Sequence, residues 1–385
     1  MSSQSIREYA ARLRPPYALA ARGEKSRILN EFCRVTGYHR KSAIRLLQPP
    51  LQPGGPRQRR RGRPVQYGPP VAQALQRLWE TSDYLGSKRL APFLPELLRV
   101  LERQGELRLP PRLGEALRTI SPATIDRLLR PSRRRRPHSP SGRPPSVLFF
   151  RRPIPVRTFG EWRDVRPGAL QADLVLHCGE TLTGFSLASL LMIDVATGWT
   201  ACRAVWGAGQ ERVGGAIHHI AAGLPFPLQA LHTDNGREFI NRGLLPWCRR
   251  HGISFTRGRP GRKNDQAYAE QRIWTVIRRF VGYDRYRTRP AYDQLNRLYE
   301  LLGLYLNFFQ PLSKVVSKLR HGARVTKRYD RAQTPYQRLL AAGSLSAEQR
   351  EALEATYLGL NPVRLRKAIQ ETQARLWKLA EPSPR

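Results

Sequence analysis

Three acidic residues stand out because each one lies in or beside a segment that is otherwise apolar. Asp173 interrupts the strand-like run ALQADLVLH, where an unpaired charge would be costly. Asp234 ends the short apolar run in LQALHTDNGREF, directly before the turn signal Asn-Gly. Glu270 lies beside the apolar stripe of a predicted helix. Acids on two strands and one helix are expected to converge at one edge of a sheet.

A cluster of carboxylates predicts a site for divalent metal ions, which prefer hard oxygen ligands. Two Mg²⁺ or Mn²⁺ ions about 4 Å apart can activate an attacking oxygen and stabilise the leaving oxygen of a phosphodiester. Each acid taken alone has a structural alternative, and Asp234 could simply cap its turn. The placement of all three together favours the metal site.

The elements around these acids predict a mixed α/β sheet. Three strand-like runs separated by short turns are typical of consecutive antiparallel hairpins. Helices then alternate with two further short strands, and a long helix that carries Glu270 begins near residue 264. The predicted strands are 169–177, 185–197, 199–206, the run before Asp234, and 253–257.

The charge balance predicts a polyanionic partner. The 385 residues include 67 Lys and Arg against 29 Asp and Glu, a formal net charge of +38, which points to DNA or RNA. Membrane binding is disfavoured because no apolar run reaches about 18 residues. The start of the chain lacks the apolar core of a signal peptide, so a cytoplasmic location is expected. The four cysteines form no CxxC pair, which disfavours zinc and a disulfide framework.

The flanking regions are predicted to be helical and separated by basic linkers. Residues 1–50 suggest a helix-turn-helix, with Arg40 and Lys41 at the start of the second helix, although an ordinary helical hairpin is the alternative. Residues 69–130 are read as a second helical DNA-binding region. The predicted segments are a linker at 51–68, a linker at 131–164, a core at 165–285 and a helical C-terminal region at 286–385.

Three sequence blocks resemble the signature blocks of DDE transposases of the retroviral-integrase superfamily, as found in bacterial insertion sequences. The blocks are QADLV, LHTDNGREF and NDQAYAEQRIW, with 60 residues between Asp173 and Asp234 and 35 between Asp234 and Glu270. The resemblance implies an RNase H-like catalytic core in which these three acids hold two Mg²⁺ or Mn²⁺ ions. It also implies a polynucleotidyl transferase that cleaves and joins DNA at transposon ends, and that works as a homo-oligomer on DNA.

The sequence departs from this family at one basic position. Many relatives place Lys or Arg seven residues after the glutamate, where this chain has Ile277 followed by Arg278. The basic group could come from Arg278 or from Arg262 and Lys263 in the preceding loop. A zinc-binding His/Cys cluster, as in retroviral integrases, is absent from the sequence.

Three neighbouring polar residues are interpreted as structural. Asp194 ends a strand before Ala-Thr-Gly and is predicted to cap a turn. Glu238 is interpreted as a solvated loop acid, with a hydrogen-bonding partner of the metal ligands as the alternative. His232 is interpreted as a packing histidine, with a position beside the metal site as the alternative. Two other functions stay open at this point: a catalytically inactive DNA-binding regulatory relic, and an RNase H-like nuclease without transposition.

Overall fold

The computed structural model divides the chain into two compact units, residues 1–65 and residues 66–385. The described residues are 1–48, 67–134, 165–234, 236–239, 243–258, 266–321 and 324–381. Both predicted basic linkers fall mostly outside these ranges. No described helix is both long and apolar enough to cross a membrane.

The first unit is a bundle of three helices, α1 (Ser3–Leu19), α2 (Arg22–Thr36) and α3 (Arg40–Leu47). Phe32, Ala43 and Leu47 are fully buried in its small core. Gly37 ends α2 in the left-handed conformation, with φ of 73°, which glycine adopts without steric cost. The short turn that follows leads directly into α3, in the order that the sequence predicts.

The second unit is built on a five-stranded mixed sheet with the order β3-β2-β1-β4-β5. β1–β2 and β2–β3 pair antiparallel, whereas β1–β4 and β4–β5 pair parallel. β2 is buried along its whole length because it is central and apolar. The strands are β1 (Ala169–Leu176), β2 (Ala188–Asp194), β3 (Thr200–Val205), β4 (Ala230–Thr233) and β5 (Ser254–Arg257).

Helices flank this sheet, as the sequence predicts for an RNase H-like core. The helix that carries Glu270 begins as α10 and widens into a π-helical turn over Ile273–Arg278. Residues 259–265, where the sequence predicts its start, lie outside the described residues. In chain order, α8 (Gln210–Ala222) lies between β3 and β4, α9 (Leu244–Arg250) lies between β4 and β5, and α10 (Ala267–Arg272) follows β5.

Helices from both ends of the second unit share one hydrophobic core with the sheet. Tyr305 donates a hydrogen bond to the Thr81 carbonyl, and Arg366 pairs with Asp83 at 2.7 Å. The helical region 69–134 is therefore part of the same compact unit as the core. These helices are α4 (Pro69–Thr81), α5 (Ser87–Arg103), α6 (Pro111–Thr119), α7 (Pro122–Arg134), α11 (Arg289–Phe309), α12 (Pro335–Ala341), α13 (Ala347–Gly359) and α14 (Pro362–Trp377).

α11 covers the outer edge of the sheet. The Asn307 side chain accepts a hydrogen bond from the Thr200 amide and donates one to the Thr200 carbonyl, both at 2.9 Å. The Asn296 side chain accepts from the Ala204 amide at 3.0 Å. Unpaired backbone groups on an edge strand invite pairing with another chain, and these two asparagines occupy part of that edge in β3.

The prediction of an entirely helical C-terminal region is wrong in one place. Residues 315–329 form an antiparallel hairpin of β6 (Val315–His321) and β7 (Arg324–Tyr329). The run VVSKLRH begins with two β-branched valines, a residue type that is enriched in strands. The two strands lie between α11 and α12 in the sequence, far from the strands of the central sheet, so this segment was predicted to be helical like its neighbours.

Candidate active site

The first two acids lie side by side on neighbouring parallel strands. The β1–β4 register pairs Gln171 with His232; Asp173 lies two residues further along β1, and Asp234 directly follows the last residue of β4. Residues two apart point to the same face of a sheet, and adjacent strands lie about 4.8 Å apart. Both aspartates are half-buried, so each carboxylate lies at the edge of the core rather than in open solvent.

The start of β1 is fixed by a glycine that no other residue could replace without strain. Gly168 has a φ of 110°, and a Cβ atom there would lie 2.5 Å from the Pro227 carbonyl oxygen. Its own carbonyl accepts hydrogen bonds from the Gln229 and Ala230 amides at 2.8 and 3.0 Å. This close approach brings the beginning of β4 against β1 and sets the register that aligns the two aspartates.

The third acid reaches the same edge because its helix is bonded to β1. Gln266 donates a hydrogen bond to the Ala172 carbonyl at 3.3 Å, and the Gln171 side chain accepts one from the Ala269 amide at 3.2 Å. Ala269 is fully buried, whereas Glu270 beside it is exposed. α10 therefore packs beside Asp173 and presents Glu270 at the rim of the site.

The electrostatics show that the acids interact with one another. Burial raises the pKa of Asp173 to about 8, the nearby Asp234 adds to this, and Glu270 and Glu238 raise it further. A hydrogen bond from the Leu174 amide at 2.8 Å acts in the opposite direction. Burial also raises the pKa of Asp234, offset in part by the Gly236 amide. Carboxylates that lie this close repel one another when all are ionised.

Glu238 joins this cluster, in contrast to the prediction of a solvated loop acid. Its side chain is half-buried, and burial raises its pKa, with a further contribution from Asp234. A Cβ atom at Gly236 would lie only 2.5 Å from the Glu238 carboxyl, so the turn after Asp234 folds this side chain back toward the acids. The sequence indicates this contact through one feature: Glu238 follows Asp234 by four residues, with Asn-Gly between them.

The donor set fits a divalent cation, although the side chains do not form a closed coordination shell. Among the described residues, no three His, Cys, Asp or Glu side chains are grouped closely enough to hold one metal ion. Asp173, Asp234 and Glu270 nevertheless interact through space, and their oxygen atoms are the ligands that Mg²⁺ and Mn²⁺ prefer. A cation would relieve the repulsion that raises the pKa of Asp173.

The other strand-ending aspartate is structural, as predicted. Asp194 is completely buried, and its Oδ1 accepts from the Gly168 amide at 2.9 Å. Its Oδ2 accepts from the amide and the hydroxyl of Thr197, both at 2.7 Å. Asp194 therefore caps the β2–β3 turn and ties it to the start of β1.

His232 is packed inside the sheet, which agrees with its structural interpretation. It is fully buried, and its Nδ1 shares a hydrogen bond of 2.9 Å with the Thr256 hydroxyl on β5. This contact links the two strands β4 and β5 below the acidic edge.

The predicted DNA contacts differ in their surroundings. Arg40 is exposed and bonded to Ser26 and Asn30 of α2, and Lys41 is exposed on α3. Arg278 is half-buried, donates to the Gly282 carbonyl at 3.3 Å and stacks over the Tyr283 ring at 4.4 Å. These contacts hold the Arg278 guanidinium against the protein. Arg262 and Lys263 lie outside the described residues.

Known proteins resemble parts of this chain. Residues 165–263 match the model of the integrase core domain. The uncharacterized protein y4rM of Sinorhizobium fredii (strain NBRC 101917 / NGR234) is 44% identical over 321 residues, which cover 81% of this chain and 89% of that protein. The catalytic core domain of BIV integrase aligns with 46% of this chain and 95% of its own, at 16% identity and a TM-score of 0.31.

The sheet order, the flanking helices and the match to the integrase core define an RNase H-like domain of the integrase class. The chain belongs to the family that includes y4rM, and its residues 165–263 match the integrase core domain. An integrase core implies polynucleotidyl transfer in DNA integration or transposition.

Proposed function

We propose that this protein is a transposase that catalyses metal-dependent cleavage and strand transfer of DNA at transposon ends. The observation that supports the proposal is the convergence of β1, the end of β4 and α10 at one edge of the sheet, inside an integrase core domain. A structural acid such as Asp194 has its oxygen atoms occupied by hydrogen bonds. Asp173 and Asp234 each accept a single hydrogen bond from a nearby amide.

In this proposal Asp173, Asp234 and Glu270 hold two Mg²⁺ or Mn²⁺ ions. When bound, such ions activate an attacking oxygen and stabilise the leaving oxygen of a phosphodiester. Asp173 lies within β1 and is positioned by the sheet, whereas Asp234 is oriented by its hydrogen bond from the Gly236 amide at 2.8 Å. Glu270 is exposed on α10, and we expect its side chain to rotate toward the two aspartates.

No side-chain nucleophile is needed for this chemistry. Water hydrolyses one phosphodiester, and the 3′-hydroxyl that is released attacks a second phosphodiester in the target duplex. The role of the protein is to hold both strands in line at the acidic edge, because orientation lowers the barrier of such a displacement. The pathway contains no covalent protein–DNA intermediate.

The partner in this proposal is duplex DNA, both transposon ends and target. The net charge of +38 favours phosphate binding, and the affinity is expected to fall steeply with salt. We expect α3 with Arg40 and Lys41 to contact DNA, and Arg262, Lys263 and Arg278 stay predicted contacts. A homo-oligomer on paired ends and a cytoplasmic, nucleoid-associated location complete the proposal.

The decisive experiment compares Asp234→Asn with the wild-type protein on labelled transposon-end duplexes in Mg²⁺. We expect cleavage to fall on the order of 10³-fold, since metal stabilisation of the transition state contributes several kcal/mol. DNA affinity measured in EDTA should stay within about twofold, because one buried-edge charge adds little to phosphate binding. Glu180→Gln, an exposed loop acid, is the matched control.

The outcomes separate the proposal from its two alternatives. Undiminished cleavage by Asp234→Asn would overturn the assignment of the acids. A wild-type protein that binds duplex DNA but cleaves none of the substrates in Mg²⁺ or Mn²⁺ would be a DNA-binding relic. Cleavage of RNA–DNA hybrids in preference to transposon ends would indicate an RNase H-like nuclease.

A further inference from the structure

The β6–β7 hairpin is an exposed two-stranded ribbon on the second unit. Residues 315–329 include five Lys and Arg residues and no Asp or Glu. All the side chains of Val325–Tyr329 are exposed, on both faces of the ribbon. An isolated hairpin is only marginally stable in water, so a ribbon with both faces exposed is expected to gain stability from a partner.

The register of the ribbon places like charges at facing positions. Lys318 is directly opposite Lys327 in the register of the two strands. Like charges at facing positions of an antiparallel pair are destabilising. A polyanion that lies along the ribbon removes this penalty, whereas a second copy of a chain with a net charge of +38 adds to it.

Exposed apolar side chains alternate with these charges. Val316, Leu319 and Tyr329 are 61%, 59% and 54% exposed. The major groove of DNA admits a two-stranded ribbon, and its thymine methyl groups accept apolar contacts. The cationic side chains of such a ribbon can contact the phosphates that line the groove. The apolar side chains beside them can contact the base edges at the floor of the groove.

The root of the ribbon is rigidly attached to the sheet that carries the acids. The Lys314 amide donates to the Asp330 carboxylate at 2.7 Å, and Arg338 pairs with the same carboxylate at 2.8 Å. The Lys314 ammonium donates to the carbonyls of Val195 and Ala196 in the β2–β3 turn, both at 2.7 Å. The base of the ribbon is thereby held against the turn that follows Asp194.

This attachment places the ribbon within reach of a duplex bound at the acids. Asp194 is opposite Leu170 in the β1–β2 register, and Leu170 lies three residues before Asp173, about 10 Å along the strand. The strand β6 has 7 residues and extends roughly 20 Å from this root. The root of the ribbon therefore lies on the same sheet as the acids, a short distance along β1 from Asp173.

We propose that the β6–β7 ribbon is a DNA-binding element that inserts into a groove of the duplex held at the acidic edge. The inference rests on the proposed function for the identity of the duplex. It adds a specific contact surface that is separate from the acids and from the helices of the first unit.

The test measures binding to a 30-base-pair duplex in EDTA at several KCl concentrations, so that no catalysis is required. The double variant Lys327→Ala/Arg328→Ala is expected to bind about 10-fold more weakly at moderate salt, with a salt slope lower by about 2. The matched control, Lys367→Ala/Arg375→Ala, removes the same charge from the exposed side of α14. It should change the slope by less than half as much.

A second variant replaces residues 315–329 with a short Gly-Ser turn. Lys314 and Asp330 are already bonded to each other, so the closure leaves the rest of the fold in place, and the thermal melt verifies this. The closed variant should lose at least as much DNA affinity as the double variant.

Two results would overturn the inference. One is DNA binding by the ribbon variants that equals binding by the α14 control. The other is a ribbon variant that dissociates a DNA-free oligomer in sedimentation while its salt slope stays unchanged, which would make the ribbon a contact between copies. Neither result depends on cleavage, so failure of the proposed activity is seen separately, in the Asp234→Asn assay.

Discussion

Aspartate occurs both in the β2–β3 turn and at the edge shared by β1 and β4, but the hydrogen bonding of its carboxylate differs between the two regions. Asp194 in the turn is fully buried and accepts three hydrogen bonds of 2.7 to 2.9 Å. Asp173 and Asp234 at the edge each accept one from a nearby amide, both at 2.8 Å, and face other carboxylates. Satisfied acids stabilise a fold, whereas acids that repel one another are available to a cation.

The largest expected effect comes from removing the buried acid of the turn. Asp194→Ala leaves the Gly168 and Thr197 amides without their acceptor in the core, so we expect the free energy of unfolding to fall by about 3 kcal/mol. Urea denaturation measures this loss. The cleavage rate per folded molecule should stay close to the wild-type value.

Thr197→Val is the matched control for Asp194, because it removes only one of the donors. Its free energy of unfolding should fall by about 1 kcal/mol. If Asp194→Ala keeps the wild-type free energy of unfolding but does not cleave DNA, Asp194 takes part in catalysis. The distinction between a structural acid in the turn and functional acids at the edge would then be wrong.

A smaller effect is expected at the fourth acid of the edge. Glu238→Gln removes a negative charge that acts on both Asp173 and Asp234. We expect the Mg²⁺ concentration for half-maximal cleavage to rise about 10-fold, as for other groups that support metal ligands. Titration of cleavage with Mg²⁺ measures this shift.

Glu180→Gln controls for the change in net charge, since Glu180 is an exposed loop acid. If both variants need the same Mg²⁺ concentration for half-maximal cleavage, Glu238 is a solvated acid without a role in metal binding. The site would then consist of the three residues predicted from sequence.

A separate effect is expected in the pH dependence of stability of the metal-free protein. The pKa of Asp173 rises from an ordinary 3.8 to about 8 on folding, mainly through burial and then through Asp234. Between these values the folded protein keeps a proton that the unfolded chain has released, so stability falls as pH rises. In EDTA, the wild-type Tm should drop by about 5 °C more than that of Asp173→Asn from pH 5 to pH 8.

Mg²⁺ should have a larger effect on the Tm of the wild-type protein than on that of Asp173→Asn, because the cation offsets the negative charge of the ionised carboxylates. The Tm at pH 8 should rise with Mg²⁺ in the wild-type protein and much less in Asp173→Asn. Parallel pH profiles with and without the substitution would show that Asp173 is not the group whose pKa is raised.

The sequence alone determined the features that depend on local pattern. Apolar alternation and turn residues identified the five strands of the core in their order, and the three blocks around Asp173, Asp234 and Glu270 identified the family. These signals are local because the side-chain periods of strands and helices are set by the backbone.

Only the tertiary structure decided which residues meet across long distances in the chain. It brought Glu238 into the acidic edge, gave Asp194 its three donors, and joined the helices of 69–134 to the C-terminal helices in one core. It also separated residues 315–329 from the helices around them as an exposed ribbon. Contacts of this kind depend on the packing of segments that are distant in the chain, so the local propensities of the residues do not predict them.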